Sequence, residues 1–255
     1  MRPNTLKQKL AGGEVVVGSF INLPCPEVVE LSGLVGFDFV VIDCEHGPMN
    51  LETALHMVRA ADAAGITPLI RSAESTPQHL LRYLDTGAAG VQVPQVNTPD
   101  DFERVVRAVK FQPRGWRGLA GTRPADYGLG QPMTDYVQAA NRETMIVMHI
   151  ETKEAVDNLD ALLAVDGVDV YFLGPSDLSQ ALGIPGQVND PRVLDLVRDC
   201  AAKITAAGKV AGTMAMTVER AKQAIDQDMR YITVGSLALF ANAGRTYVGG
   251  VKEPG

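Results

Sequence analysis

Eight short apolar runs, separated by helical patterns, are spread along 255 residues, and this alternation constrains the fold more than any other feature. The runs fall at residues 15–21, 38–42, 67–71, 90–93, 145–150, 168–173, 210–213 and 231–234. They are nearly continuous in apolar character, as strands covered on both faces are. Between them, Leu51, Leu55 and Val58 mark one helical stripe, and Val193, Val197, Cys200 and Ile204 mark another. Thr76-Pro77, Thr98-Pro99 and Asp190-Pro191 each pair a capping residue with a ring pre-set for the first helical position. Strand and helix alternating through eight rounds predict parallel pairing and closure into a (β/α)8 barrel of one domain, residues 1–255. A doubly wound open sheet is the rival. Residues 112–131 break the rhythm with five glycines among Arg114, Arg117 and Arg123. A loop that long in a compact domain is usually functional.

Composition narrows the function classes. A formal net charge of −7 argues against bulk binding of nucleic acid or an anionic membrane. Cys25, Cys44 and Cys200 show no CxxC spacing, which fits a reducing compartment. Cys200 lies on its helical stripe as a small buried hydrophobe. Residues 1–7 show no apolar leader, and no run approaches the length of a membrane span, so a cytoplasmic location is expected.

A parallel barrel gathers its strand ends on one face, and the polar residues of this chain cluster there in sequence. The run through Ile42 ends in Asp43, Cys44, Glu45 and His46; the next ends in Arg71. Residues 145–150 run into Glu151, and residues 168–173 into Gly174-Pro175-Ser176-Asp177. Glu151 and Asp177 come from successive strand ends, and paired carboxylates suit a hard divalent cation. The alternative is structural: Glu151 capping a helix near Thr152, and Asp177 capping one near Leu178. Asp43 and His46 could form a base and its orienting partner. Arg71 could hold a carboxylate or a developing oxyanion, or form an interior ion pair. The glycine turn at Gly174 offers backbone N–H groups to an anion. His149 points inward by strand alternation, while His56 and His79 fall on helices. No lysine is placed at a strand end like a Schiff-base lysine, and neither a P-loop nor a G-x-S-x-G motif is present.

In order, Val41-Ile42-Asp43-Cys44-Glu45-His46-Gly47-Pro48, Leu69-Ile70-Arg71, Leu84-Asp85-Thr86-Gly87-Ala88, Ile150-Glu151-Thr152 and Gly174-Pro175-Ser176-Asp177-Leu178-Ser179 resemble the metal-dependent class II 2-oxo acid aldolases of the HpcH/HpaI family. The resemblance spans nearly the whole chain. It implies a TIM barrel of the phosphoenolpyruvate/pyruvate-binding type. It also implies cleavage of a 4-hydroxy-2-oxo acid, such as 4-hydroxy-2-oxoheptanedioate or a 2-dehydro-3-deoxy sugar acid, to pyruvate and an aldehyde.

By the same resemblance, Glu151 and Asp177 hold Mg²⁺ or Mn²⁺, with Co²⁺ as a further option. His46, oriented by Asp43, is the acid/base; Arg71 steadies the pyruvate enolate. Gly174 and Ser176 cradle the pyruvate carboxylate, and His149 contacts substrate where many relatives have glutamine. Asp85 reaches the active site of a neighbouring subunit, which implies a homo-oligomer, a trimer or a hexamer built as a dimer of trimers. Expected partners are the 2-oxo acid and an aldehyde, with no nucleic acid and no membrane. Two other readings are a CoA-ester lyase or oxaloacetate decarboxylase on the same barrel, and a non-catalytic barrel that binds organic acids. Residues 20–24 and the 112–131 loop are expected to select the aldehyde. Arg117 and Arg123 could there meet a second carboxylate or seal a subunit contact.

Overall fold

Each of the eight apolar runs is a strand: β1 (Val16–Ile21), β2 (Phe39–Asp43), β3 (Thr67–Arg71), β4 (Gly90–Val93), β5 (Met145–Ile150), β6 (Val170–Leu173), β7 (Ala211–Met214) and β8 (Tyr231–Gly235). In the computed structural model, which describes residues 2–252, they form a closed barrel in the order β1 to β8. All neighbours pair in parallel, and β8 closes onto β1. The architecture is therefore a (β/α)8 TIM barrel, and the open-sheet alternative is excluded.

Apolar residues on both faces of the strands explain this closure. Outward side chains such as Val40, Ile42 and Ile70 pack with Met57, Val58 and Ala61 of the helix Leu51–Ala64. Val91, Ile146, Met148 and Tyr171 do the same against Phe102, Val105 and Ile204. Cys200 is buried in that layer, as its helical spacing predicts, and burial pushes its thiol up to about 11. Inward residues Val16, Phe20, Phe39, Val41, Leu69, Val147, Val170, Phe172 and Tyr231 fill the barrel. The short helix Thr5–Ala11 plugs the N-terminal end with Leu6 and Leu10. The interior is thus a packed core, and only the C-terminal end is left for polar chemistry.

The capping expectations hold at two of three sites. Thr98 accepts from the N–H of Asp101 in a full capping box, and Asp190 accepts from the N–H of Arg192. Thr76 occupies the N-cap position but makes no side-chain cap bond. The fixed ring of Pro77 starts that helix without it.

The 112–131 loop does not line the mouth of its own barrel. Arg117 is buried, donates to Asp85 Oδ1 at 3.0 Å and stacks over Phe111 at 4.8 Å. Arg123 pairs with Asp62 and donates to the carbonyl of Thr86. Asp62 and Asp85 lie in the last turns of helices that run antiparallel to the strands. The loop is therefore fastened near the N-terminal end of the barrel, and Arg117 and Arg123 are neutralised within the chain.

Candidate active site

Strand register builds the site. Asp43 at the end of β2 pairs in register with Arg71 of β3, and Arg71 with Gln92 of β4. Equal register puts these three inward side chains in one row just above the apolar interior. Arg71 forks onto Asp43: Nε donates to Oδ1 at 2.9 Å and Nη2 to Oδ2 at 2.7 Å. Its Nη1 lies 3.0 Å from Glu45 Oε2, and its guanidinium carbon 4.9 Å from the Phe20 ring centroid. Free N–H bonds remain on both terminal nitrogens, because Asp43 and Glu45 do not use them all.

Asp43 has no exposed side-chain surface. Burial works against its charge, but the Arg71 fork and two backbone N–H groups outweigh burial and hold its carboxyl below the ordinary range. Those N–H groups belong to Glu45 and His46, each 3.2 Å from Oδ1. Asn22, beyond β1, donates to Oδ2. Asp43 therefore fixes the main chain of His46 and the guanidinium of Arg71. The expected bond from Asp43 to the imidazole is not made, since its oxygens are already occupied. The ring of His46 is 66% exposed instead, with Nε2 3.9 Å from Glu45 Oε2. Burial raises the Glu45 carboxyl, with Arg71 and His46 opposing.

Glu151 and Asp177 converge. The capping alternative for both is overturned: Thr152 caps its own helix by accepting from Ala155, and Asp177 lies inside the helix Pro175–Ala181, whose N-cap is Gly174. Glu151 is 3% exposed; its Oε1 accepts from the backbone N–H of Gln95 at 2.9 Å and from Gln95 Nε2 at 3.2 Å. A Cβ placed on Gly174 would lie 3.2 Å from Glu151 Oε2 and 3.6 Å from Asp177 Oδ2. Both carboxylates thus face one small gap that exists because residue 174 has no side chain. Burial and the charge of Glu151 raise the Asp177 carboxyl. Glu151 is lowered, because His149, the Gln95 N–H and Arg71 together outweigh its burial. Two hard oxygen donors under mutual repulsion fit a divalent cation, which would relieve that repulsion.

His149, expected to contact substrate, is instead found engaged within the chain. It is 2% exposed, and both ring nitrogens are engaged, Nδ1 with Glu151 Oε2 at 2.6 Å and Nε2 with Gln92 Nε2 at 2.7 Å. Strand alternation correctly turns it inward, but one residue below the open end it becomes a support for Glu151. Asp85 is separated from these groups by the length of its helix and pairs with Arg117. His56 and His79 lie on helices at the periphery. Lys110 is buried at the opposite end, where desolvation pushes it down to about 7 and its Nζ donates to the carbonyls of Asn141 and Thr144. That position agrees with the absence of a strand-end lysine.

Sequence reasoning missed Gln92, Gln95 and Tyr231 as parts of the site, and placed Asn22 within the 20–24 stretch without its bond to Asp43. Gln92 carried a signal, a polar residue inside the apolar run Gly90–Val93. Gln95 carried none, since its place depends on a left-handed backbone (φ 55°).

A barrel with a carboxylate pair, a forked arginine and an exposed histidine at its C-terminal end has the parts of an enzyme active site that can receive an anionic substrate. The family model for HpcH/HpaI aldolase/citrate lyase matches residues 17–242, and the chain belongs to that family. It is an enzyme of the carbon–carbon lyase class. A hydroxypyruvate/pyruvate aldolase of Cupriavidus necator is 32% identical over 251 residues, covering 98% of this chain and 93% of the relative. A 2-keto-3-deoxy-L-rhamnonate aldolase of Escherichia coli is 32% identical over 234 residues, 91% of this chain and 86% of the relative. The crystal structure of an HpcH/HpaI aldolase/citrate lyase family protein from Burkholderia cenocepacia superposes with a TM-score of 0.93 at 32% identity, covering 98% of this chain and all of that one.

Proposed function

We propose that the protein is a divalent-metal-dependent class II aldolase that reversibly cleaves a 4-hydroxy-2-oxo acid to pyruvate and an aldehyde. The observation that carries this reading is the gap at Gly174, onto which Glu151 Oε2 and Asp177 Oδ2 both face beside the forked Arg71. Glu151 and Asp177 would hold Mg²⁺ or Mn²⁺. Bound there, the cation supplies Lewis-acid stabilisation of negative charge on the 2-oxo oxygen.

The remaining chemistry belongs to the chain. Breaking the C3–C4 bond leaves an enolate, and the free N–H bonds of Arg71 supply a pre-aligned positive contact to it. Asp43 holds that guanidinium in place from beneath. His46, exposed above the row, takes the C4 hydroxyl proton through a water molecule as the aldehyde leaves, and gives it back to C3 of the enolate to form pyruvate; the synthetic direction runs the same transfers in reverse. The first turn of the helix Pro175–Ala181 offers the N–H of Ser176 to the substrate carboxylate. The N–H of Gly174 is only loosely held by the carbonyl of Ile150, at 3.4 Å.

The relatives' names favour short 2-oxo acid substrates over CoA esters. The substrates to try first are 4-hydroxy-2-oxoheptanedioate and 2-dehydro-3-deoxy sugar acids. No described helix is long and apolar enough to cross a membrane, and a cytoplasmic role in acid catabolism fits.

A homo-oligomer is part of the same reading. The helix Ser236–Lys252 buries none of its residues, while Phe240 and Tyr247 are 80% and 74% exposed. Asp85 borders a groove of about 1040 Å³ with Cys44, His79 and Tyr127, open to a neighbouring chain whose site it would serve.

Two variants test the assignment. Glu151→Gln is expected to lose metal affinity by calorimetry. His46→Ala is expected to bind metal normally and lose turnover by about 10²–10⁴-fold. Full turnover by His46→Ala would remove that residue from the mechanism.

A further inference from the structure

Four buried polar side chains, contributed by three strands and the residue that follows β5, form one hydrogen-bonded line across the barrel. The Tyr231 hydroxyl donates to Gln92 Oε1 at 3.0 Å; Gln92 Nε2 lies 2.7 Å from His149 Nε2; His149 Nδ1 lies 2.6 Å from Glu151 Oε2. Tyr231 and Gln92 have no exposed surface, and His149 and Glu151 are 2% and 3% exposed. The line is closed to water, so each group must be satisfied by its neighbours.

That requirement gives the line a direction. Tyr231 has one hydroxyl proton, and Gln92 Oε1 is its acceptor. With its oxygen so used, Gln92 turns its amide N–H towards His149, and Nε2 must accept. Glu151 at the other end can only accept when ionised, so the ring proton sits on Nδ1. Reversing Gln92 would strand the tyrosine proton and place two acceptors against each other unless Nε2 were protonated as well.

We infer that Tyr231, Gln92 and His149 form a one-directional relay that fixes the His149 proton on Nδ1 and thereby holds Glu151 with Oε2 turned to the gap at Gly174. The inference rests on the metal-dependent reading above, and it makes His149 a positioning residue for the metal ligand. Glu151 Oε1 is already saturated by Gln95, and one direction on Oε2 is taken by His149. What remains on Oε2 faces the gap at Gly174. The relay would therefore leave Oε2 as the Glu151 oxygen that a cation could use. The Phe172 ring packs 4.8 Å from the His149 ring, so the orientation of the imidazole is set by its two hydrogen bonds.

The test separates the relay from the metal reading. Nitrogen NMR of isotope-labelled histidine in metal-free protein is expected to show His149 protonated on Nδ1 and bare on Nε2, and to lose that pattern in Gln92→Leu. Mn²⁺ affinity is then measured by calorimetry with melting temperature as the control for folding. His149→Asn, whose amide nitrogen takes the place of Nδ1, is expected to bind Mn²⁺ within about threefold of the unaltered protein. His149→Leu is expected to bind on the order of 10–100-fold more weakly. Tyr231→Phe removes only a hydroxyl, and a weakened Mn²⁺ affinity is expected there too if His149→Leu does not fold.

A ring protonated on Nε2 alone in the unaltered protein would overturn the relay. So would undiminished Mn²⁺ binding by folded His149→Leu or, failing that, by Tyr231→Phe. Absence of Mn²⁺ binding by the unaltered protein would instead defeat the metal reading itself.

Discussion

At the scale of single residues, Asp43 has the most to lose. It is a buried carboxylate whose partners are a buried guanidinium, an asparagine and two backbone N–H groups. Replacing it with Asn leaves Arg71 with only part of its compensation. A buried pair broken on one side costs roughly 3–5 kcal/mol. Asp43→Asn is expected to lose about that much stability in urea unfolding at neutral pH. The pH dependence follows from the lowered carboxyl. A carboxyl that is more acidic folded than unfolded stabilises the fold above the unfolded value, about 3.9, and loses that contribution as pH falls through the folded one. The unaltered and Asp43→Asn proteins should therefore differ by a constant amount from pH 7 to about pH 4 and converge below it. A difference that grew on acidification would contradict the fork as the source of stability. Sequence alone placed Asp43 and Glu151 at strand ends, because one ends an apolar run and the other directly follows one; Asp177 follows its run by four residues, in the first turn of the next helix. Sequence could not show that Asp43 faces Arg71 rather than the His46 ring. That depends on register between β2 and β3, which no local pattern encodes.

At the scale of elements, the strand-to-helix turn after β6 determines the site. Gly174 is the N-cap of the helix Pro175–Ala181, and its missing side chain leaves room between two carboxylates. Gly174→Ala puts a methyl 3.2 Å from Glu151 Oε2, tighter than ordinary contact. The expected result is a folded protein with an unchanged melting temperature within a few degrees and a metal affinity reduced by on the order of 10-fold or more. Isothermal titration with Mn²⁺ checks it, and unaltered affinity would place the metal elsewhere. The eight strands were legible because strands buried on both faces read as unbroken apolar runs; predicted and observed ends agree within two residues, as at 168–173 against Val170–Leu173. The anchor of the 112–131 loop was illegible for a physical reason. Glycines and arginines announce a long loop but not its anchor, and the anchors Asp62 and Asp85 lie on helices far back in the sequence. The Tyr231–Gln92 contact spans 139 residues and was equally invisible.

For the whole molecule, the barrel supplies a cup with one polar end, and the last helix supplies an apolar surface that nothing among the described residues covers. Phe240, Tyr247 and Val251 on the helix Ser236–Lys252 are 80%, 74% and 68% exposed, and Leu31, Leu34 and Val35 near the helix Pro26–Leu34 are 57%, 80% and 64% exposed. Exposed apolar surface of this kind marks association. Phe240→Asp combined with Tyr247→Asp is expected to shift sedimentation from an oligomer to smaller species. If Asp85 serves a neighbouring site, the same change lowers turnover while each barrel stays folded. Sedimentation as a monomer by the unaltered protein would remove Asp85 from the mechanism. The central claim, metal-dependent release of pyruvate, is tested most directly by a coupled pyruvate assay. Chelator-treated enzyme is supplied with 4-hydroxy-2-oxoheptanedioate or a 2-dehydro-3-deoxy sugar acid, before and after Mg²⁺ or Mn²⁺ is restored. The account predicts pyruvate only after the metal is returned, and no recovery by Glu151→Gln. Undiminished pyruvate release from metal-free enzyme would contradict it.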